Sequence, residues 1–381
     1  MRAAPLGAAL LLLVLAGCDL DDVERNGDAV ARAMPDWSAE SSGQPALPRS
    51  GARPAAGRGL GSGKPVTFAF GGDVNFEANP GAVLLEDPAA LFAGVAASLE
   101  ADVTMVNLET SVSERGEPAP KTYTFRAHPS AFPALRSAGV DVVSLANNHG
   151  LDYGEDALLD TLDFAAHPDT GVPIVGAGRD DAEAYEPFRV TVRGQDISIL
   201  GATIVLDDHL TEAWTAGPDH PGLAVADDPT QLLEAVRTER AQADTVVVYL
   251  HWGQERNECP IENQLVLADQ LVAAGADVIV GGHAHVPVGA GMLNGSYVSY
   301  GLGNFIFGSA SGLTSESGVL RLTVTGRRID AAEWVPARIS GGIPTTLEGE
   351  EAAAARSSWE ALRDCTNLTA GTERGAEVVD A

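Results

Sequence analysis

Hydrophobic positions in this chain fall in short, nearly unbroken runs, and five of the runs end on side chains able to bind a metal. They read Phe68-Ala69-Phe70-Gly71-Gly72-Asp73, Met105-Val106-Asn107-Leu108-Glu109, Val142-Val143-Ser144-Leu145-Ala146-Asn147-Asn148-His149, Val246-Val247-Val248-Tyr249-Leu250-His251 and Val278-Ile279-Val280-Gly281-Gly282-His283-Ala284-His285. Continuous β-branched runs mark strands buried on both faces, and open α/β sheets carry their chemistry just beyond the strand C-termini. One such ending is weak. Five predict a single rim that collects two carboxylates, an amide and four imidazoles.

Between the runs the spacing turns helical. Helices are predicted over 88–100, 130–138 (closed by Gly139), 154–166, 229–242 and 261–274 (closed by Gly275), each glycine a natural C-cap. Strands are predicted at 66–70, 102–108, 141–145, 244–250 and 277–280, with a hairpin of 186–193 and 195–204 about Gly194. After 285 the strands 296–300, 304–307, 317–325 and 328–335 follow without helices, which predicts an antiparallel half. Alternating strands and helices describe a layered α/β domain, expected over 65–345. Residues 346–381 read as a helix and tail that pack outside or fray. A local echo supports the rim: Ala138-Gly139-Val140-Asp141 and Ala274-Gly275-Ala276-Asp277 each lead through a strand to a His-bearing loop.

The N-terminus changes the expected setting. Arg2 precedes an apolar run from Leu6 to Leu15, too short to span a bilayer and suited to a secretory signal. Leu15-Ala16-Gly17-Cys18 resembles the bacterial lipobox. That implies a signal peptide over 1–17, lipid on Cys18, and a protein anchored in the cell envelope outside the cytoplasm; ordinary secretion and an uncleaved anchor are the alternatives. Residues 18–64 lack any sustained apolar period and read as a flexible tether. Outside the cytoplasm Cys259 and Cys365 either pair or remain two free thiols. A bridge would be worth roughly 4–5 kcal/mol in the chain-entropy account. The net charge of −29 on 381 residues argues against nucleic acid as a partner, and an anionic substrate would need local positive charge.

Each rim residue alone has a bland reading. His283-Ala284-His285 could be a surface loop, His251 a core histidine, Asp73 a helix N-cap and Glu109 a surface charge. Asn147-Asn148-His149 could form an Asx turn rather than a metal and substrate site. Asp152 could fix the His149 ring or cap the 154–166 helix. Their joint occurrence favours a site.

Order and spacing then become specific. Gly71-Gly72-Asp73-Val74, Asn107-Leu108-Glu109, Asn147-Asn148-His149-Gly150-Leu151-Asp152-Tyr153-Gly154, His251-Trp252-Gly253-Gln254-Glu255, Gly282-His283-Ala284-His285-Val286 and Tyr300-Gly301-Leu302-Gly303-Asn304-Phe305 occur in that order. Together they resemble the CapA family, the poly-γ-glutamate capsule synthesis proteins within the calcineurin-like metallophosphoesterase superfamily. The resemblance implies an α/β fold, the four-layer α/β-β/α sandwich of the metallo-dependent phosphatase type, with two divalent metal ions. Asp73 and His285 would hold one ion, Asn148, His251 and His283 the other, and Glu109 would bridge them where the superfamily usually has Asp. His149 would be the general acid, with Asp152 behind it. The superfamily's usual Asp-x-His is here Asp73-Val74-Asn75, so Asn75 or Asn107 would have to serve, or the first metal is weaker. Nitrogen and oxygen donors without thiolate fit Mn²⁺, Fe, Zn²⁺ or Mg²⁺, the histidines weighing against Mg²⁺ alone.

The implied role is metal-dependent hydrolysis or transfer in the synthesis of poly-γ-glutamate or a related surface polymer. The substrate would be an anionic polymer or phosphoester, and other capsule-synthesis proteins would be partners at the membrane. Two alternatives stand beside it: an extracytoplasmic phosphoesterase unrelated to capsule, and a non-catalytic scaffold lipoprotein whose metal site has decayed, for which Asn75 speaks.

Overall fold

The computed structural model describes residues 59–371. The expected signal peptide 1–17, Cys18, the tether as far as residue 58 and the stretch 372–381 lie outside the described residues. Five strands carry the rim: β1 (Val66–Val74), β2 (Val103–Leu108), β3 (Val142–Ser144), β4 (Thr245–His251) and β5 (Val278–Gly282).

Two sheets pack face to face. In the first, β1, β2 and β3 run parallel, and Glu316–Thr325, Arg328–Ser340 and Ile343–Thr346 continue the sheet antiparallel beyond β1. In the second, β4 and β5 lie parallel at the centre, flanked by Gln195–Thr203 on one side and Ser296–Leu302 on the other. Strand alternation sorts the side chains into layers. Phe68, Phe70 and Met105 of the first sheet meet Val247, Tyr249 and Val280 of the second in one shared core. Ala69, Val106 and Val143 point the other way, onto a helix layer with Phe92, Leu135 and Leu158. Val246, Val248 and Ile279 do the same on the far side, against Leu232, Val236 and Leu271. The result is the expected four-layer α/β-β/α sandwich. No described helix is long and apolar enough to cross a membrane.

Several boundaries move. The predicted helix 88–100 is two short pieces, Ala90–Ala93 and Ala96–Leu99. Gly94 lies between them because the Pro344 carbonyl sits 2.7 Å from where a Cβ would be. The folded part begins by Gly59 rather than Pro65: the Gln195 amide donates to the carbonyls of Leu60 (3.0 Å) and Lys64 (2.8 Å), and Arg327 N–H donates to Gly59 (2.6 Å). The expected break at 345/346 falls inside the strand Ile343–Thr346. Beyond it the helix Gly349–Ala361 packs rather than frays, stacking Trp359 on Trp334 with ring centroids 5.0 Å apart. Cys259 and Cys365 are disulfide-bonded, their Cα atoms 5.7 Å apart.

Candidate metal centre

The rim forms where strand ends from both sheets meet. The register of β1 on β2 shifts between Phe70 and Asp73, which sets Asp73 opposite Asn107. From the second sheet, the Tyr249 hydroxyl donates to the Gly71 carbonyl at 3.2 Å and ties the shift down. After β5 the chain passes through His283 (φ 89°) and His285 (φ 56°), both left-handed. Such backbone costs of order 1–3 kcal/mol per residue and collects at functional sites. Gly282 precedes them because a Cβ there would lie 2.5 Å from Asp73 Oδ1.

Asp73 accepts from the His283 backbone N–H at Oδ2 (3.1 Å) and from the Asn107 amide at Oδ1 (2.9 Å), with His285 Nδ1 3.5 Å from Oδ2. Around Glu109 Oε1 lie the Nε2 atoms of His251 (3.6 Å), His285 (3.9 Å) and His149 (4.0 Å). The Asn148 carboxamide oxygen is 2.8 Å from His251 Nε2. Two triads offer one donor atom each within 4.8 Å: Glu109, His283 and His285, and Asp73, Glu109 and His251. Glu109 belongs to both.

Electrostatics say what is missing from this gap. Both Glu109 oxygens and His283 Nδ1 are buried without a hydrogen-bond partner, and a buried unpaired carboxylate is costly. Burial, then the Asp73 charge, pushes the Glu109 pKa well up. Burial, then neighbouring imidazoles, holds His251 and His283 well below the imidazole range. Burial pulls His285 down too, but the Glu109 and Asp73 carboxylates outweigh it and hold its pKa up at about 10. A buried carboxylate with both oxygens unpartnered, ringed by nitrogen and oxygen donors, fits a divalent metal.

Beside the cluster, His149 Nδ1 lies 2.5 Å from Asp152 Oδ2, which also accepts from Phe125 N–H (2.6 Å). The Phe125 ring stacks on His149 at 3.9 Å. Asp152 therefore orients His149; the helix Gly154–Ala165 has Tyr153 at its N-cap, with no side-chain cap. Asn147 does form an Asx-type turn, its oxygen accepting from His149 N–H at 3.0 Å, and its amide donates to Asn107 Oδ1 (3.0 Å) and the Leu108 carbonyl (2.9 Å). That turn aims Asn148 at His251.

The asparagines considered as extra ligands have other partners. Asn75 Oδ1 accepts from Glu77 N–H at 3.3 Å on its own loop. Asn107 spends its amide on Asp73 and on His251 Nδ1, 3.1 Å away. Asn304 Oδ1 sits 2.9 Å from His285 Nδ1 and sets that ring. Sequence reasoning missed Lys121, a buried ammonium that donates to the Asn148 carbonyl and lies 3.0 Å from Asp152 Oδ1 and 3.6 Å from Asp207 Oδ2. It missed Phe125 as well. Both sit in a loop whose residues have no periodic signal; only their nearness to Arg126 and the short strand Arg126–Ala127 hints at order.

Comparison with known proteins agrees with the motifs. A Mycobacterium tuberculosis protein named "Probable polyglutamine synthesis accessory protein" is 32% identical over 254 residues, 63% of this chain and 66% of that one. The Bacillus subtilis protein named PGA biosynthesis protein CapA is 34% identical over 231 residues, 58% of this chain and 59% of its own length. The chain thus spans less than two thirds of either relative. Among solved structures, a 5′-nucleotidase from Candida albicans matches with a TM-score of 0.40 and 11% identity, covering 78% of this chain and 57% of that one. The family described as "Bacterial capsule synthesis protein PGA_cap" matches residues 67–309, which is the stretch that carries every rim residue, and the chain belongs to that family.

Proposed function

We propose that this protein performs metal-dependent phosphoester hydrolysis or phosphoryl transfer in the bacterial cell envelope, anchored by lipid on Cys18, during synthesis of poly-γ-glutamate or a related capsule or surface polymer. One observation carries the chemistry: Glu109 is buried with both oxygens unpartnered and is common to both donor triads. The family and the names of the relatives support the polymer reading.

Asp73, Glu109, Asn148, His251, His283 and His285 would hold one or two divalent ions, which supply Lewis acidity to a phosphoryl oxygen and an activated water. The chain's own residues do the rest. Asn107 and Asn304 hold His251 and His285 in orientation. Asp152 fixes Nδ1 of His149, leaving Nε2 turned toward the cluster, 4.0 Å from Glu109. With Nδ1–H held by Asp152, Nε2 carries a proton only in the imidazolium, which burial disfavours and the Asp152 carboxylate favours. In that form it can give the proton to a leaving oxygen as the phosphorus–oxygen bond breaks. Phe125 shields that ring from water on one face.

Purified protein should carry divalent metal and hydrolyse members of a phosphoester panel, and His283→Ala should lose both. Absence of metal, or turnover indifferent to His283→Ala, would overturn the catalytic reading. The polymer reading fails separately if a deletion strain keeps its surface polymer unchanged in amount and length.

A further inference from the structure

A cleft of about 340 Å³ opens beside the metal rim and shares His285 with it. One wall is the turn after β4, with Glu255 and Arg256; the other is the segment 304–314, with Phe307 and Leu313. Arg256 is the one Lys or Arg among the lining residues, and among the described residues its guanidinium has no partner. The side chain is exposed, and its place on the cleft wall is what sets it apart.

Its backbone is anything but loose. Arg256 is left-handed, φ 59°, and its N–H donates to the Ala284 carbonyl at 2.7 Å, between the two left-handed histidines. The same turn is pinned three residues on by the Cys259–Cys365 bond. A left-handed backbone held to the ligand loop thus sets a solvent-facing guanidinium on the cleft wall, within reach of a ligand there. Guanidinium matches carboxylate and phosphate alike. Glu255 beside it cancels that one positive charge, so a monoanion on Arg256 meets less repulsion than a phosphate dianion would. Phe307, and Leu313 at 55% exposure, offer apolar contact to the carbon atoms in between.

Resting on the phosphoester reading above, we propose that this cleft receives the non-reacting part of the substrate and that Arg256 binds a carboxylate carried there. The matched pair phenyl phosphate and 4-carboxyphenyl phosphate tests it on the metal-loaded protein. The wild type should prefer the carboxylated ester in kcat/KM. Arg256→Asn, chosen because Asn tolerates left-handed backbone, should cut that preference at least tenfold, and Arg256→Lys should keep part of it. A preference that survives Arg256→Asn, an equal loss on both esters, or a wild-type preference for 1,4-phenylene bisphosphate overturns the proposal. Calorimetric titration with 4-carboxyphenylphosphonate and phenylphosphonate gives a readout free of turnover. Arg256→Asn should weaken the first at least tenfold relative to the second, and equal weakening overturns the proposal. If the wild type cleaves neither ester, the hydrolytic reading fails while the titration still decides the role of Arg256.

Discussion

Glu109 shows what one buried side chain can dictate. Its unpartnered oxygens make the metal-free cluster costly, and the raised pKa values of Glu109 and His285 are the protein's answer. Glu109→Gln keeps the shape and removes the ionisable group but leaves a buried amide as poorly partnered, so metal-free protein should change little in stability. Divalent metal at a hundred times its Kd should add about 2.7 kcal/mol to the wild type and far less to the variant. Urea melts with and without chelator would show this, and a variant with an unchanged metal response would refute a bridging role. The His285 shift also sets a pH dependence. Its folded pKa of about 10 lies above the ordinary value of 6.5. Its contribution is therefore complete below pH 6.5 and is lost as pH rises toward 10 in metal-free protein, a slope that His285→Gln should flatten. At His149, substitution by Ala should lower kcat by about 10²–10⁴-fold. Asp152→Asn, which leaves the imidazole in place but unfixed, should cost on the order of 10–100-fold. A larger loss for Asp152→Asn than for His149→Ala would mean that Asp152 acts directly rather than only through the ring.

At the level of elements, the sequence disclosed most where strands are buried on both faces. β1 to β5 are continuous apolar runs, so their existence, order and rim residues were legible. The pieces that escaped depend on partners far along the chain. Gly94, between the two helix pieces, leaves no room for a Cβ beside the Pro344 carbonyl, and no local pattern announces that contact. The strand Pro287–Leu293 carries glycines and went unread; Met292 there exchanges two backbone hydrogen bonds with Thr369, at 2.9 and 3.0 Å. Asn107 looked like a spare ligand because its motif cannot reveal that its amide faces Asp73 and His251. Lys121 lies in a turn-rich loop where charge ordinarily means solvent. The cysteine pair left two readings open, and the fold closes them by carrying the C-terminal segment back beside the turn after β4. The bond spans 106 residues. Cys365→Ser should therefore reduce unfolding free energy by about 4–5 kcal/mol in the chain-entropy account. A loss under about 1 kcal/mol in urea would mean that the segment stays docked without it.

For the whole molecule, the decisive fact is how the donors are divided. Asp73, Glu109, Asn148 and His149 come from the first sheet, and His251, His283 and His285 from the second. Elsewhere the two sheets share an apolar core, and at the opposite strand ends Arg327 pairs with Asp277 (2.9 Å), Arg193 with Asp102 (2.7 Å), and the Thr245 hydroxyl donates to the Gly326 carbonyl (2.6 Å). An ion held by both sets would tie the end of the sandwich opposite those pairs. Metal should therefore act on the breathing of one end and leave the other as it was. Metal should slow amide hydrogen exchange at the rim, around Asp73, Leu108, His251 and Gly282. Amides at the opposite strand ends, near Val66, Val103 and Val278, should exchange at an unchanged rate. Uniform slowing would mean that metal only raises global stability. With slowing confined to the rim, the ion would give that edge the fastening that the far edge already has in its ion pairs.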